Sequence, residues 1–252
     1  MEYYFRAEKL TVGYNGRPVV KDIEASVKKG QIATLIGPNA SGKSTILKSM
    51  ASQLKTISGV ALINDTPLEA INPQRLARQM AIVSTERPQP ELMTCGELVA
   101  VGRYPYTGKL GILSDEDKEK IAEALSLVKA LELMDRNLTE VSDGQLQRIM
   151  LARALCQEPE IIILDEPTSF LDIRYAVEIL DVLHRLATER KVTVIMSLHE
   201  LNYARRVSDL VICIKNGYVM ELGEPEAIFT EETISRLYDL PAGTYTELFG
   251  EL

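Results

Sequence analysis

Short apolar runs alternate along this chain with stretches whose apolar residues recur every three or four positions. Residues 31–36 (QIATLI), 161–164, 192–197 and 210–214 are brief, rich in β-branched side chains and bounded by polar or turn-forming residues, the pattern of buried parallel strands. Residues 44–52 and 173–189 read as helices. The first thirty or so residues alternate more loosely around Gly13, Asn15-Gly16 and Pro18, which predicts antiparallel strands joined by turns. Strands interleaved with helices predict an α/β fold. The middle of the chain differs. Residues 114–133 open with Ser114-Asp-Glu-Asp117, a capping box with Ser114 as N-cap and Asp117 at N3. Ile121, Leu125, Val128 and Leu131 then follow at helical spacing. A second helix is expected from Asp143 or Gly144 to about Cys156. A third is expected to carry Leu98 and Val101 on its core face and to end by Pro105. The expectation is one domain, with a helical subdomain at about 86–157 inserted into a core of about 1–85 and 158–252.

The composition changes this picture little. The chain has 252 residues, 46% hydrophobic and 25% charged, which is ordinary for a globular domain. A net charge of −8 argues against a nucleic-acid partner, because phosphate backbones recruit Lys and Arg. The three cysteines, Cys95, Cys156 and Cys213, form no metal-type pair, and their odd number gives no disulfide framework; they read as reduced cytosolic thiols. The N-terminus, MEYYFRAEKL, lacks a positive region followed by an apolar one and is not expected to be a signal peptide. No apolar stretch approaches the ~18 residues that a membrane span needs. Any membrane part would be supplied by another chain.

The densest chemical signal is Gly37-Pro38-Asn39-Ala40-Ser41-Gly42-Lys43-Ser44-Thr45. It fits G-x-x-x-x-G-K-[ST] between a predicted strand and a predicted helix, the context that a phosphate-binding loop requires. Gly37 and Gly42 let the backbone wrap tightly and turn successive N–H groups toward an anion. The helix start adds the positive end of its dipole. Lys43 is expected to reach the β- and γ-phosphates of ATP, and Ser44 to ligate Mg²⁺.

Residues 161–166 are four aliphatics followed by Asp165 and Glu166. A buried strand carries such acids to its C-terminal end, where ligands bind in parallel sheets. Asp165 suits Mg²⁺, directly or through water. Glu166 suits a general base acting on the attacking water. His199 follows the strand ending at Ser197 and is placed to contact the γ-phosphate or that water. His184 lies within the helical stretch 173–189 with no motif around it and is given no functional role.

The segment between these motifs is more specific. Val141-Ser142-Asp143-Gly144-Gln145, followed by Leu-Gln-Arg148, resembles the LSGGQ signature of ATP-binding-cassette (ABC) proteins. Ser169-Phe-Leu-Asp172 resembles the D-loop of that family, His199 its switch histidine, and Tyr14 the aromatic that stacks on adenine. The resemblance covers essentially the whole chain. It implies a P-loop NTPase with a RecA-like core, an N-terminal antiparallel β-subdomain and an inserted helical subdomain. It also implies a head-to-tail dimer in which the P-loop of one copy faces Ser142, Gly144, Gln145 and Asp172 of the other across ATP. Met93-Thr-Cys-Gly-Glu-Leu-Val-Ala-Val-Gly-Arg-Tyr-Pro105 looks like the segment after the Q-loop in importers of iron–siderophores, haem and cobalamin.

Two positions depart from the family pattern. Thr85 and Glu86 stand where the Q-loop glutamine is expected, with Gln89 nearby, so Thr85 or Glu86 is expected to take part of its metal-binding role. Asp143 replaces a signature glycine, and its side chain is expected to turn away from the phosphate as an N-cap acceptor. The resemblance implies an importer ATPase, peripheral on the cytoplasmic face of the inner (cell) membrane. Its partners would be transmembrane permease subunits, a second copy of itself and, indirectly, a substrate-binding protein. Permease docking is expected near residues 86–106. The alternatives are a soluble cassette ATPase acting on ribosomes or DNA, and a non-hydrolysing regulatory module. Lys43, Glu166 and His199 argue against the second.

Overall fold

The computed structural model describes residues 3–84, 92–108 and 111–250. Its chain forms two compact units, residues 1–70 with 193–252, and residues 71–192. The first unit begins with β1 (Tyr3–Tyr14), β2 (Arg17–Lys28), β3 (Ile32–Ile36), α1 (Lys43–Met50), β4 (Ser58–Ile63) and β5 (Thr66–Pro67). The second contains α2 (Pro73–Gln79), β6 (Met80–Val83), α3 (Cys95–Ala100), α4 (Asp115–Leu127), α5 (Asp143–Cys156), β7 (Ile161–Asp165) and α6 (Ile173–Arg190). The chain then returns to the first unit with β8 (Thr193–Ser197), α7 (Leu201–Val207), β9 (Leu210–Lys215), β10 (Tyr218–Gly223), α8 (Pro225–Ile228), α9 (Glu231–Tyr238) and α10 (Thr244–Phe249).

In the first unit, β1 lies antiparallel between β2 and β4 in a sheet of order β2-β1-β4-β5. The Asn15-Gly16 turn joins β1 to β2, with φ of 51° and 74°, the left-handed pair that a tight hairpin needs. A second run of strands has the order β10-β9-β3-β8. There β3 pairs in parallel with both β8 and β9, and every residue of β3 and β8 is buried. That burial on both faces explains why these strands read as unbroken apolar runs rather than alternating ones.

In the second unit β6 and β7 pair in parallel, Met80 with Ile161 through Val83 with Leu164. The helices pack by burying Leu98 and Val99 of α3, Ile121 and Leu125 of α4, and Ile149, Leu151, Ala152 and Leu155 of α5. The capping box at Ser114 and Asp117 is present. The helix it opens is shorter than its periodicity predicts. It ends at Leu127, Lys129 turns left-handed at φ 52°, and Leu131–Leu133 form a separate 3₁₀ turn. Val128 and Leu133 are buried, but Leu131, expected to continue the core stripe, is 46% exposed, so the pattern outlasts both the helix and its core face. The helix expected to carry Leu98 and Val101 is likewise cut short. α3 has six residues, Val101–Arg103 is a 3₁₀ turn, and Val99 rather than Val101 is sealed in the core.

The cause is the buried guanidinium of Arg103. Its Nε donates to Asp117 Oδ1 at 2.8 Å, and Nη1 donates to the Cys156 carbonyl at 2.8 Å and to Glu158 Oε2 at 2.9 Å. Gly102 makes room: a Cβ there would lie 2.4 Å from the Arg153 carbonyl oxygen. One side chain thus ties the end of α3 to the start of α4 and the end of α5. The Ser114 backbone N–H, the Arg103 guanidinium and the Ser114 hydroxyl together hold the Asp117 carboxyl down to about 2.

Removing one partner of a buried ion pair strands the other. Arg103→Met is therefore expected to cost about 3 kcal/mol of stability, read from the shift of a urea unfolding midpoint at pH 7. The Asp117 contribution has the sign of a depressed carboxyl. It is fully present above the ordinary aspartate value of about 4 and is lost as pH falls through about 2. Asp117→Asn is expected to flatten the fall in stability across that acid window; an unaltered acid profile would refute the assignment.

Candidate nucleotide-binding site

β3 runs directly into the loop of residues 37–42, and α1 starts at Lys43. The loop backbone passes through φ of 148° at Gly37, 60° at Ala40 and 108° at Gly42. A Cβ on Gly37 would lie 2.1 Å from the Ile214 carbonyl oxygen, and one on Gly42 would lie 2.2 Å from Val20 Cγ2. Glycine is thus required twice, for conformation and for space. Gly42 is the N-cap of α1 and offers no side-chain cap, and a helix start of this kind suits an anion. Asn39 and Ala40 form the exposed tip, Ser44 is half-buried on the first turn, and Thr45 is buried behind it.

Lys43 is buried. Its Nζ donates to the Gly37 carbonyl at 2.8 Å and the Pro38 carbonyl at 3.0 Å. The Ser41 hydroxyl is buried and has no hydrogen-bond partner among the described residues. A sealed ammonium, an unsatisfied hydroxyl and a helix start without a cap form a donor set for a polyphosphate. The Ser44 hydroxyl adds the kind of oxygen that a hard divalent cation accepts, so the donor set fits Mg²⁺·ATP. Tyr14 ends β1, 45% exposed, in the same unit as the loop. His199 also belongs to this unit, exposed between β8 and α7.

The second unit holds the acids and the signature. Asp165 is the last residue of β7 and is buried. Glu166 follows at φ 50°, and its Oε2 accepts from the Ser169 hydroxyl at 3.0 Å. Gln147, buried in α5, donates to the Pro167 carbonyl at 3.3 Å and so braces the turn behind the acids. Sequence reasoning passed over Gln147; the available signal was a polar residue flanked by core positions of α5.

Ser142 is the N-cap of α5 in a second capping box. Its N–H donates to Gln145 Oε1 at 2.9 Å, and the Gln145 N–H donates to its hydroxyl at 3.3 Å. Asp143 is thereby corrected from an N-cap acceptor to the first helical residue, where its charge suits the helix dipole. Gly144 lies against the segment before α6, with a Cβ position 3.2 Å from the Phe170 carbonyl oxygen. Asp172 caps α6, accepting the Tyr175 N–H at 3.0 Å. The expected ligands Thr85 and Glu86, and Gln89 with them, lie outside the described residues. Among the described residues no helix is long and apolar enough to cross a membrane.

Residues 20–169 match the family model described as ABC transporter. The chain is 42% identical over 245 residues to an ABC transporter ATP-binding protein of Methanocaldococcus jannaschii, covering 97% of this chain and 84% of that one. It is 37% identical over 240 residues to the iron(3+)-hydroxamate import ATP-binding protein of Bacillus subtilis, covering 95% and 89%. Against the ferric enterobactin transport ATP-binding protein of Escherichia coli it is 32% identical over 235 residues, covering 93% and 87%. Among solved structures, a metal-chelate type ABC transporter in an inward-facing conformation aligns with a TM-score of 0.83 at 25% identity, over 96% of this chain and 90% of that one. A dimeric ATP-binding cassette bound to ADP and Pi aligns with a TM-score of 0.79 at 25% identity, over 88% and 98%. The chain belongs to the ABC transporter family, as an ATP-hydrolysing nucleotide-binding subunit with the ABC ATPase fold.

Proposed function

We propose that this cassette energises import of an iron chelate, haem or cobalamin through a membrane permease. The observation that carries the cargo class is the match to relatives named for iron(3+)-hydroxamate import and ferric enterobactin transport. No comparison favours an ATPase acting on ribosomes or DNA. In this reading the whole chain is one ATPase domain, with a core of about 1–85 and 158–252 and a helical subdomain of about 86–157. It sits at the cytoplasmic face of the membrane, two copies beneath a permease dimer that docks near residues 86–106. A substrate-binding protein takes part indirectly.

The residue roles follow from their chemistry. The loop of residues 37–45 and the Lys43 ammonium bind the phosphates, and Tyr14 stacks on adenine. Ser44 and Asp165 hold Mg²⁺, with Thr85 or Glu86 in place of the Q-loop glutamine. Mg²⁺ supplies neutralisation of the β- and γ-phosphate charge. Glu166 accepts a proton from the attacking water, and His199 orients that water or the γ-phosphate. From the second copy, Ser142, Gly144, Gln145 and Asp172 face the same nucleotide.

Glu166→Gln is expected to abolish ATP turnover while nucleotide binding persists. Tagged Glu166→Gln protein, given Mg²⁺·ATP and purified from solubilised membranes, is expected to bring down one multi-spanning permease. Recovery of ribosomes or nucleic acid in its place would sink the importer reading. The metal role of the Q-loop position is tested separately. Thr85→Ala or Glu86→Ala is expected to raise the Mg²⁺ concentration that gives half-maximal ATPase activity. If both variants keep the wild-type rate and Mg²⁺ dependence, neither residue has that role.

A further inference from the structure

The C-terminal helices lie outside every motif described above, yet one of them touches the phosphate-binding loop. α9 ends at Tyr238, and the Tyr238 hydroxyl accepts the Gly37 N–H at 3.2 Å. The carbonyl of the same glycine accepts the Lys43 ammonium. Gly37 is therefore held from two sides: by Tyr238 at its N–H, and by β9, whose Ile214 carbonyl fills the space where a Cβ would stand. Burial pushes the Tyr238 hydroxyl up to about 12, so the contact is made by a neutral phenol at every physiological pH.

α9 is itself anchored. Ile234 and Leu237 are fully buried. At the end of β9, the Lys215 Nζ donates to Asp239 Oδ1 at 2.6 Å and to the Arg236 carbonyl. At the other end of the helix, Glu231 Oε1 accepts the Gly243 N–H at 2.7 Å and the Ser235 hydroxyl at 2.8 Å. Its Oε2 accepts the Thr246 N–H at 2.7 Å and the Thr246 hydroxyl at 2.8 Å. The path from α10 through α9 to the loop is thus continuous in hydrogen bonds and packed side chains.

We propose that Tyr238 is a positioning residue for nucleotide binding: its hydroxyl fixes Gly37, and through Gly37 the Lys43 ammonium, so that the C-terminal helices and the bound nucleotide stabilise each other. Such coupling is reciprocal by thermodynamic necessity. Nucleotide must protect α9 to the extent that α9 tightens nucleotide binding.

The test uses the full chain. Tyr238→Phe keeps the ring and leaves the buried Gly37 N–H without its acceptor. Titration calorimetry with Mg²⁺·ATP is expected to show Kd raised about tenfold, the size of one such loss. A merely structural fault lowers the active fraction and leaves Kd unchanged, so Kd separates the two cases. In hydrogen exchange, Mg²⁺·ATP is expected to slow the amides of residues 231–240 in the wild type, and this protection is expected to vanish in Tyr238→Phe. A wild-type Kd in Tyr238→Phe, or no nucleotide effect on α9 in the wild type, overturns the proposal. Should Tyr238→Phe fail to fold, Lys215→Ala loosens α9 without touching Tyr238 or the loop. It is expected to raise Kd in the same direction, and a wild-type Kd with faster exchange in α9 overturns the proposal equally.

Discussion

The Lys43 ammonium is held by two backbone carbonyls, and much of the first unit serves to place those carbonyls. A lysine this deeply buried is costly unless its donors are met. The Gly37 and Pro38 oxygens meet them only because the loop turns through φ values that L-residues avoid. That turn needs a rigid base, and β3 supplies it, buried at every residue and paired in parallel on both sides. It also needs clearance, which explains why the Ile214 carbonyl and the Val20 side chain sit where a Cβ on Gly37 or Gly42 would collide with them. The glycines, the strand and the lysine are parts of one solution to one electrostatic problem.

The second unit solves a similar problem with a different cation. Arg103 is buried, and its partners come from the start of α4 and the end of α5. α5 in turn carries Ser142 at its N-terminus, Gln147 against the turn after Asp165 and Glu166, and Arg153, whose Nη2 donates to the Ile82 carbonyl at 2.7 Å. Movement of α5 would therefore disturb the signature serine and the acidic turn together. From Leu146 onward α5 is rich in buried residues, and its buried Gln147 acts as a connector to the acidic turn.

How much of this was legible in the sequence depends on the kind of signal. The parallel strands were, because burial on both faces leaves an apolar run. The loop at Gly37 to Thr45 was, because its conformational demand falls on glycine. The capping box at Ser114 was, because it rests on local hydrogen bonds and needs only a few residues to be seen. The ends of α3 and α4 were not, because Val101 and Leu131 keep helical apolar spacing past each end without being buried, and nothing local marks Arg103 as the residue that turns inward. Asp143 was misassigned as a cap because serine and aspartate stand side by side and either can accept the helix N–H groups. Gln147 and Tyr238 act on residues 20 and 201 positions away in the chain, and no local pattern reports such a contact.

The conformation of Glu166 bears on why an acid stands there. Its φ of 50° is one that a non-glycine residue adopts at a cost of roughly 1 kcal/mol or more. The turn it begins is held by the Ser169 N–H, which donates to the Glu166 carbonyl at 3.1 Å. Glycine would make that turn without strain, so backbone geometry gives no reason for a carboxylate. Nor does the core, since Asp165 before it is buried while Glu166 is only half-buried. What glycine cannot supply is an acceptor at the end of a buried strand, steadied by the Ser169 hydroxyl. Other turns of this chain also place a non-glycine residue in the left-handed region, among them Lys9, Asp22 and Lys191; at Glu166 the retained side chain puts a carboxylate next to Asp165 at the end of β7.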